Sequence, residues 1–97
     1  MAFRVTIRRF AAGQPASEMT SAINPIALRE QAREHADAIW ASELKRAQDE
    51  VEVARAAGVR GMSAIPTGLN ADMRAVTLHT EEAGVLRSTI ICVEAIG

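Results

Sequence analysis

The chain has one cysteine, no tyrosine, one tryptophan, two phenylalanines, and a single lysine against ten arginines. Each shortage excludes something. A lone Cys92 cannot close an intrachain disulfide. It stands in the apolar run Ile90-Ile91-Cys92-Val93, so it reads as a small buried hydrophobe. A reactive thiol would need a cationic, partly exposed setting. Three aromatic residues offer few platforms on which single-stranded bases could stack. No apolar run approaches the roughly 18–20 residues that cross a bilayer, and the N-terminus has no apolar core of a signal peptide. These features lead us to expect no membrane association and a cytoplasmic protein, or one built into a particle assembled in the cytoplasm.

Chemical motifs are equally scarce. Around His35 the positions three and four residues away are Gln31, Ala32, Ala38 and Ile39, so its helix turn supplies no second metal ligand. His79 has Glu81 two residues on, a single pair at a strand end. The chain has no nucleophile elbow, no phosphate-binding G-K-[ST] loop and no G-x-G-x-x-G. Glu81-Glu82 falls on a turn, where no burial would raise a carboxyl pKa. We expect no catalytic residue, no metal and no cofactor. The arginine excess could signal phosphate binding, but arginine and alanine codons are both GC-rich, and codon usage explains the bias as well. A formal net charge of −1 also lacks the basic balance of a nucleic-acid binder.

What is present is architectural. Ala2 to Phe10 contains FRVTIRRF, with Phe3, Val5 and Ile7 alternating against Arg4, Thr6 and Arg8. That is the pattern of a half-buried strand. Ala11-Ala12-Gly13-Gln14-Pro15 breaks it, and residues 16–23 are ambiguous, with Ser17 able to cap a short helical turn. Asn24-Pro25 is a strong helix start. From Pro25 to Ala57 nothing interrupts a run of good helix formers, and Gly58 follows where a left-handed C-cap is wanted. Leu28, Ala32, Ala36, Trp40, Leu44, Ala47, Val51 and Ala54 form one stripe, whose alanines suit close approach to a sheet. Arg33–Asp37, Lys45–Asp49 and Arg46–Glu50 are opposite charges four apart on the other side, expected to be a solvated face. Residues 58–73, with three glycines and Pro66, read as a long loop with apolar Met62, Ile65, Leu69 and Met73. Arg74 to Thr80 and Val85 to Ile96 read as a hairpin.

The expected fold is therefore α+β: a single small domain over residues 1–97, in the order β-α-β-β. One long helix packs on a three-stranded mixed sheet of order 1-3-2. The last strand is apolar on both faces and takes the centre. One sheet face is left without a helix. The expected surface there comprises Arg4, Thr6, Arg8, His79, Leu86 and Ile90, with Glu94 able to pair with Arg4 or Arg8. Met62, Ile65 and Leu69 add the loop. Either this surface meets another protein, or the segment before Asn24 or the 58–73 loop folds back over it.

Three functions are ranked on these grounds. The first is a non-enzymatic structural or interaction subunit that forms a homo-oligomer or docks a neighbouring subunit, such as a bacterial or phage particle component. The second is a small nucleic-acid-binding module using Arg4, Arg8 and Arg9, disfavoured by the charge balance. The third is a small enzyme with its site at a subunit interface and His79 as acid–base group.

Overall fold

The computed structural model describes residues 2–20 and 25–96. Strand β1 (Ala2–Ala11) is followed by β2 (Ser17–Thr20), helix α1 (Arg29–Ala56), β3 (Met62–Asn70), β4 (Met73–Thr80) and β5 (Gly84–Ile96). The sheet order is β2-β1-β5-β4-β3, with every neighbouring pair antiparallel. The three-stranded mixed sheet expected from sequence is thus incorrect: five strands form, and none is parallel to its neighbour.

The two extra strands are the two stretches whose composition argued against them. Residues Ser17–Thr20 turn back through a Gly13 of φ +74° and pair with β1. Residues Met62–Asn70 pair with β4 despite Pro66 and Gly68. Both are edge strands, where proline and glycine interrupt only half a hydrogen-bond ladder. The alternation within β3 is hidden because apolar residues fall on both sides, Met62 and Ala64 toward the helix and Ile65 on the opposite face.

The helix begins four residues later than its apparent start signal. Ile26 exchanges two backbone hydrogen bonds with Phe3, each 2.8 Å, which holds that residue extended and postpones the first turn. Asn24, the expected cap, lies outside the described residues. Leu28 occupies the N-cap position without a side-chain cap bond and is exposed, so it leaves the apolar stripe. The C-terminus follows the sequence signal. Gly58 has φ +89°, Val59 N–H donates to the Ala54 carbonyl and Gly58 N–H to that of Arg55, the paired bonds of a Schellman cap.

The helix lies across one face of the sheet from the β1 side to the β3 side. Near its start, Ala32 and Ala36 pack on Phe3, Val5, Ile7 and Ile91. Near its end, Ala47 and Val51 pack on Val76 and Leu78. Trp40 touches both clusters. Its indole N–H donates to the Ala75 carbonyl at 2.9 Å, and the Arg74 guanidinium lies 5.7 Å from a ring centroid. The alanines at the contact admit a close helix–sheet approach, and the one large ring fills the gap between the two apolar groups.

The helix charges do not pair as their spacing suggested. Arg33 binds Asp72 at 2.9 Å, Asp37 binds Arg74, Glu43 binds Arg9 at 2.7 Å, and Glu50 binds Arg87 at 2.7 Å. These four links run from helix to sheet. In three of them the strand-borne arginines Arg9, Arg74 and Arg87 reach the helix flank from fixed positions, while Arg33–Glu30, Arg46–Glu43 and Arg55–Glu52 remain as pairs within the helix. Among the described residues no helix is long and apolar enough to cross a membrane.

Candidate functional site: the open face of the sheet

Residues directly opposite one another in an antiparallel sheet share a face. Phe3, Val5, Ile7 and Arg9 point toward the helix, so Arg4, Thr6, Arg8 and Phe10 point away. The β1–β5 register adds Glu94, Cys92, Ile90 and Ser88 to the away side. The β4–β5 and β3–β4 registers add Met73, Ala75 and Thr77, then Thr67 and Ile65. Glu18 and Thr20 come from β2. Nothing among the described residues lies over this face. Residues 11–20 and 58–73, which could have folded back as covers, are spent on the hairpin and the sheet edges themselves.

At the β2–β1–β5 end the face is charged and balanced. Arg4 contacts Glu94 at 3.1 Å, Arg8 contacts Glu94 at 3.0 Å, and Arg8 contacts Glu18 at 2.9 Å. Two arginines therefore serve two glutamates in two cross-strand rows, Arg4–Glu94 and Glu18–Arg8, joined by the Arg8–Glu94 contact. Thr6 and Cys92 lie beneath them as a directly opposed pair, 1% and 3% exposed. Among the described residues the Thr6 hydroxyl has no hydrogen-bond partner. Burial pushes the Cys92 thiol pKa up, only partly offset by Arg8, so the sulfur stays protonated and poorly nucleophilic. Toward β4 and β3 the face turns small and apolar. Ile90 and Ala75 pair across strands, Thr77 and Ser88 hydroxyls lie 3.3 Å apart, and Phe10 and Ile65 stand exposed.

The sequence-chosen residues do not all meet here. Arg4, Thr6, Arg8, Ile90, Ile65 and His79 do. Leu86 does not. Between Leu78 and His79 the β4–β5 register shifts, so Leu78 faces Arg87 and His79 faces Val85. Leu86 is the extra residue of that bulge and packs with Val76 and Leu78 on the helix side. Met62 joins the same helix-side cluster. Leu69 sits at the second register shift, between Gly68 and Asn70, and is exposed at the sheet end. Thr77, expected on this face beside His79, lies on it; Phe10, Met73 and Glu18 were missed. Phe10 continues the Arg4–Thr6–Arg8 alternation and was legible; Glu18 and Met73 depend on pairings that no local pattern encodes.

The two alternative chemistries find less geometric support. Arg9 turns to the helix side and Glu43, away from Arg4 and Arg8. Among the described residues, nine of the ten arginines lie within salt-bridge distance of a carboxylate. His79 lies across from Val85 and Ser63, neither of which can relay a proton as a carboxylate would. No group of three or more potential metal ligands occurs among the described residues. A depression of about 440 Å³ opens where β4 begins, lined by Arg8, Arg33, Asp72, Met73, Cys92 and Glu94. Both of its arginines are already engaged by its own carboxylates. No family model matches the chain, and no curated protein or solved structure matches it.

Proposed function

We propose that this protein is a non-enzymatic interaction subunit that works through the open face of its sheet. The observation that carries the reading is a five-stranded sheet covered on one face by α1 and, among the described residues, bare on the other, with Phe10, Ile65 and Ile90 on the bare side. Each large apolar side chain moved out of water is worth about 1.5–3 kcal/mol, against a total stability of about 5–15 kcal/mol for a domain. Apolar residues interleaved with arginine also match the make-up of protein interface cores. The edges of the sheet favour face contact over strand addition. β2 is four residues long and β3 carries Pro66 in its middle, both devices that blunt an edge.

A photo-crosslinking residue placed at Thr77 or Thr67, in the organism's own cells, should yield a discrete adduct. One placed at Ala41, on the solvent side of α1, should not. Equal crosslinking from both faces, or none from the sheet positions, would refute the reading.

A further inference from the structure

Resting on that reading, we infer that the occupant of the open face is a second copy of this chain, related by one twofold axis that crosses the strands at the Thr6–Thr20 pair. The four charges of the face carry the inference. Arg4 and Glu94 form one row across β1 and β5. Two pairs further along β1, Glu18 and Arg8 form the other row across β2 and β1. Read in the same direction across the strands, the first row is positive then negative and the second is negative then positive.

Strand spacing of about 4.8 Å and a rise of about 3.4 Å per residue fix these positions on the sheet. With them, a single axis in the plane of the interface, about 20° from perpendicular to the strands, places Arg4 of one copy over Glu18 of the other. The same axis brings Glu94 within about 4 Å of Arg8 in projection. The two sheets then cross at about 40°, close to the roughly 30° of aligned sheet packing.

The apolar residues obey the same operation. Ile90 of one copy falls between Cys92 and Met73 of the other, in both directions. A surface with balanced charge offers little to a strongly acidic or basic partner. It is complementary to itself, as an isologous twofold contact requires. The cis pairs leave capacity for this: Arg4 and Glu18 keep 45% and 53% of their side-chain surface exposed.

Light scattering on the purified chain should give twice the 10.4 kDa chain mass at micromolar concentration. Glu18→Arg should weaken the dimer at least tenfold with circular dichroism unchanged. The double variant Arg4→Glu with Glu18→Arg should restore association toward wild type. In cis that double variant sets like charges together at both the Arg4–Glu94 and the Arg8–Glu18 contacts, so recovery can come only from contacts between copies. Thr20→Cys, near the axis, should form a covalent dimer under mild oxidation, and Ser63→Cys, on outlying β3, should not. A monomeric wild type overturns the inference, and so does a dimer indifferent to Glu18→Arg or not restored by the double variant. Adducts from Thr77 in cells with a different protein would keep the interaction reading and discard the second copy.

Discussion

Thr6 is buried, 1% exposed, and its hydroxyl finds no acceptor or donor among the described residues. A buried hydroxyl without a hydrogen bond costs about 1–3 kcal/mol. Valine has nearly the same shape and no such cost, and it is at least as well suited to a strand. Thr6→Val should therefore raise stability by about 1 kcal/mol, or roughly 4–8 °C in melting temperature for a chain of this size. A thermal melt reads it directly. A lower melting temperature would mean that the hydroxyl is satisfied in solution.

At the scale of elements, the helix and sheet are held by close approach at alanine and by charges along the seam. Ala36 is 2% exposed between α1 and the β1–β5 strands. Ala36→Leu should lift the helix off the sheet and cost about 1–3 kcal/mol through overpacking, although leucine is a good helix former. A denaturant titration separates this from a propensity effect: Ala38→Leu, on the exposed side, should change little.

Asp72 takes two arginines of the helix at the seam, Arg29 and Arg33. The hydrogen bond from Arg33, with Arg29 adding at 2.8 Å, holds its carboxyl below the ordinary carboxylate value. The folded state thus binds the proton less readily than the unfolded chain. Its stabilisation is present above the unfolded value of about 3.9 and is lost as pH falls through the lower folded value. Asp72→Asn should lower the urea midpoint at pH 7 and flatten its decline between pH 4 and pH 2. A variant whose midpoint parallels wild type over that range would show that the Arg33–Asp72 contact does not persist in solution.

At the scale of the whole molecule, the arginines explain why a chain with ten of them does not read as a polyanion binder. Those of β1 are divided between two faces, and nearly all are neutralised by carboxylates a few ångströms away. Binding to phosphates would have to break those pairs as well as release counterions. We expect no sub-micromolar affinity for duplex or single-stranded DNA near physiological salt. A fluorescence-anisotropy titration that saturates below 1 µM would promote the nucleic-acid reading.

Local pattern was enough for the elements whose residues repeat with a clear period. β1 shows alternation, α1 shows a three-to-four-residue stripe closed by Gly58, and β5, largely apolar on both faces, takes the centre of the sheet. Glu94 could also be placed beside the β1 arginines, since strand parity carries that information.

The tertiary structure alone decided the rest, because it depends on contacts between distant residues. Ser17–Thr20 and Met62–Asn70 become strands only when β1 and β4 offer them a ladder, which outweighs their weak propensity. The bond between Ile26 and Phe3, not the Asn24-Pro25 signal, sets where the helix begins. One bulge at Leu86 reverses which face that residue serves, a choice settled by its partner strand. Asp37, Glu43 and Glu50 of the helix found arginines on the sheet, since folding brought those guanidinium groups to the seam.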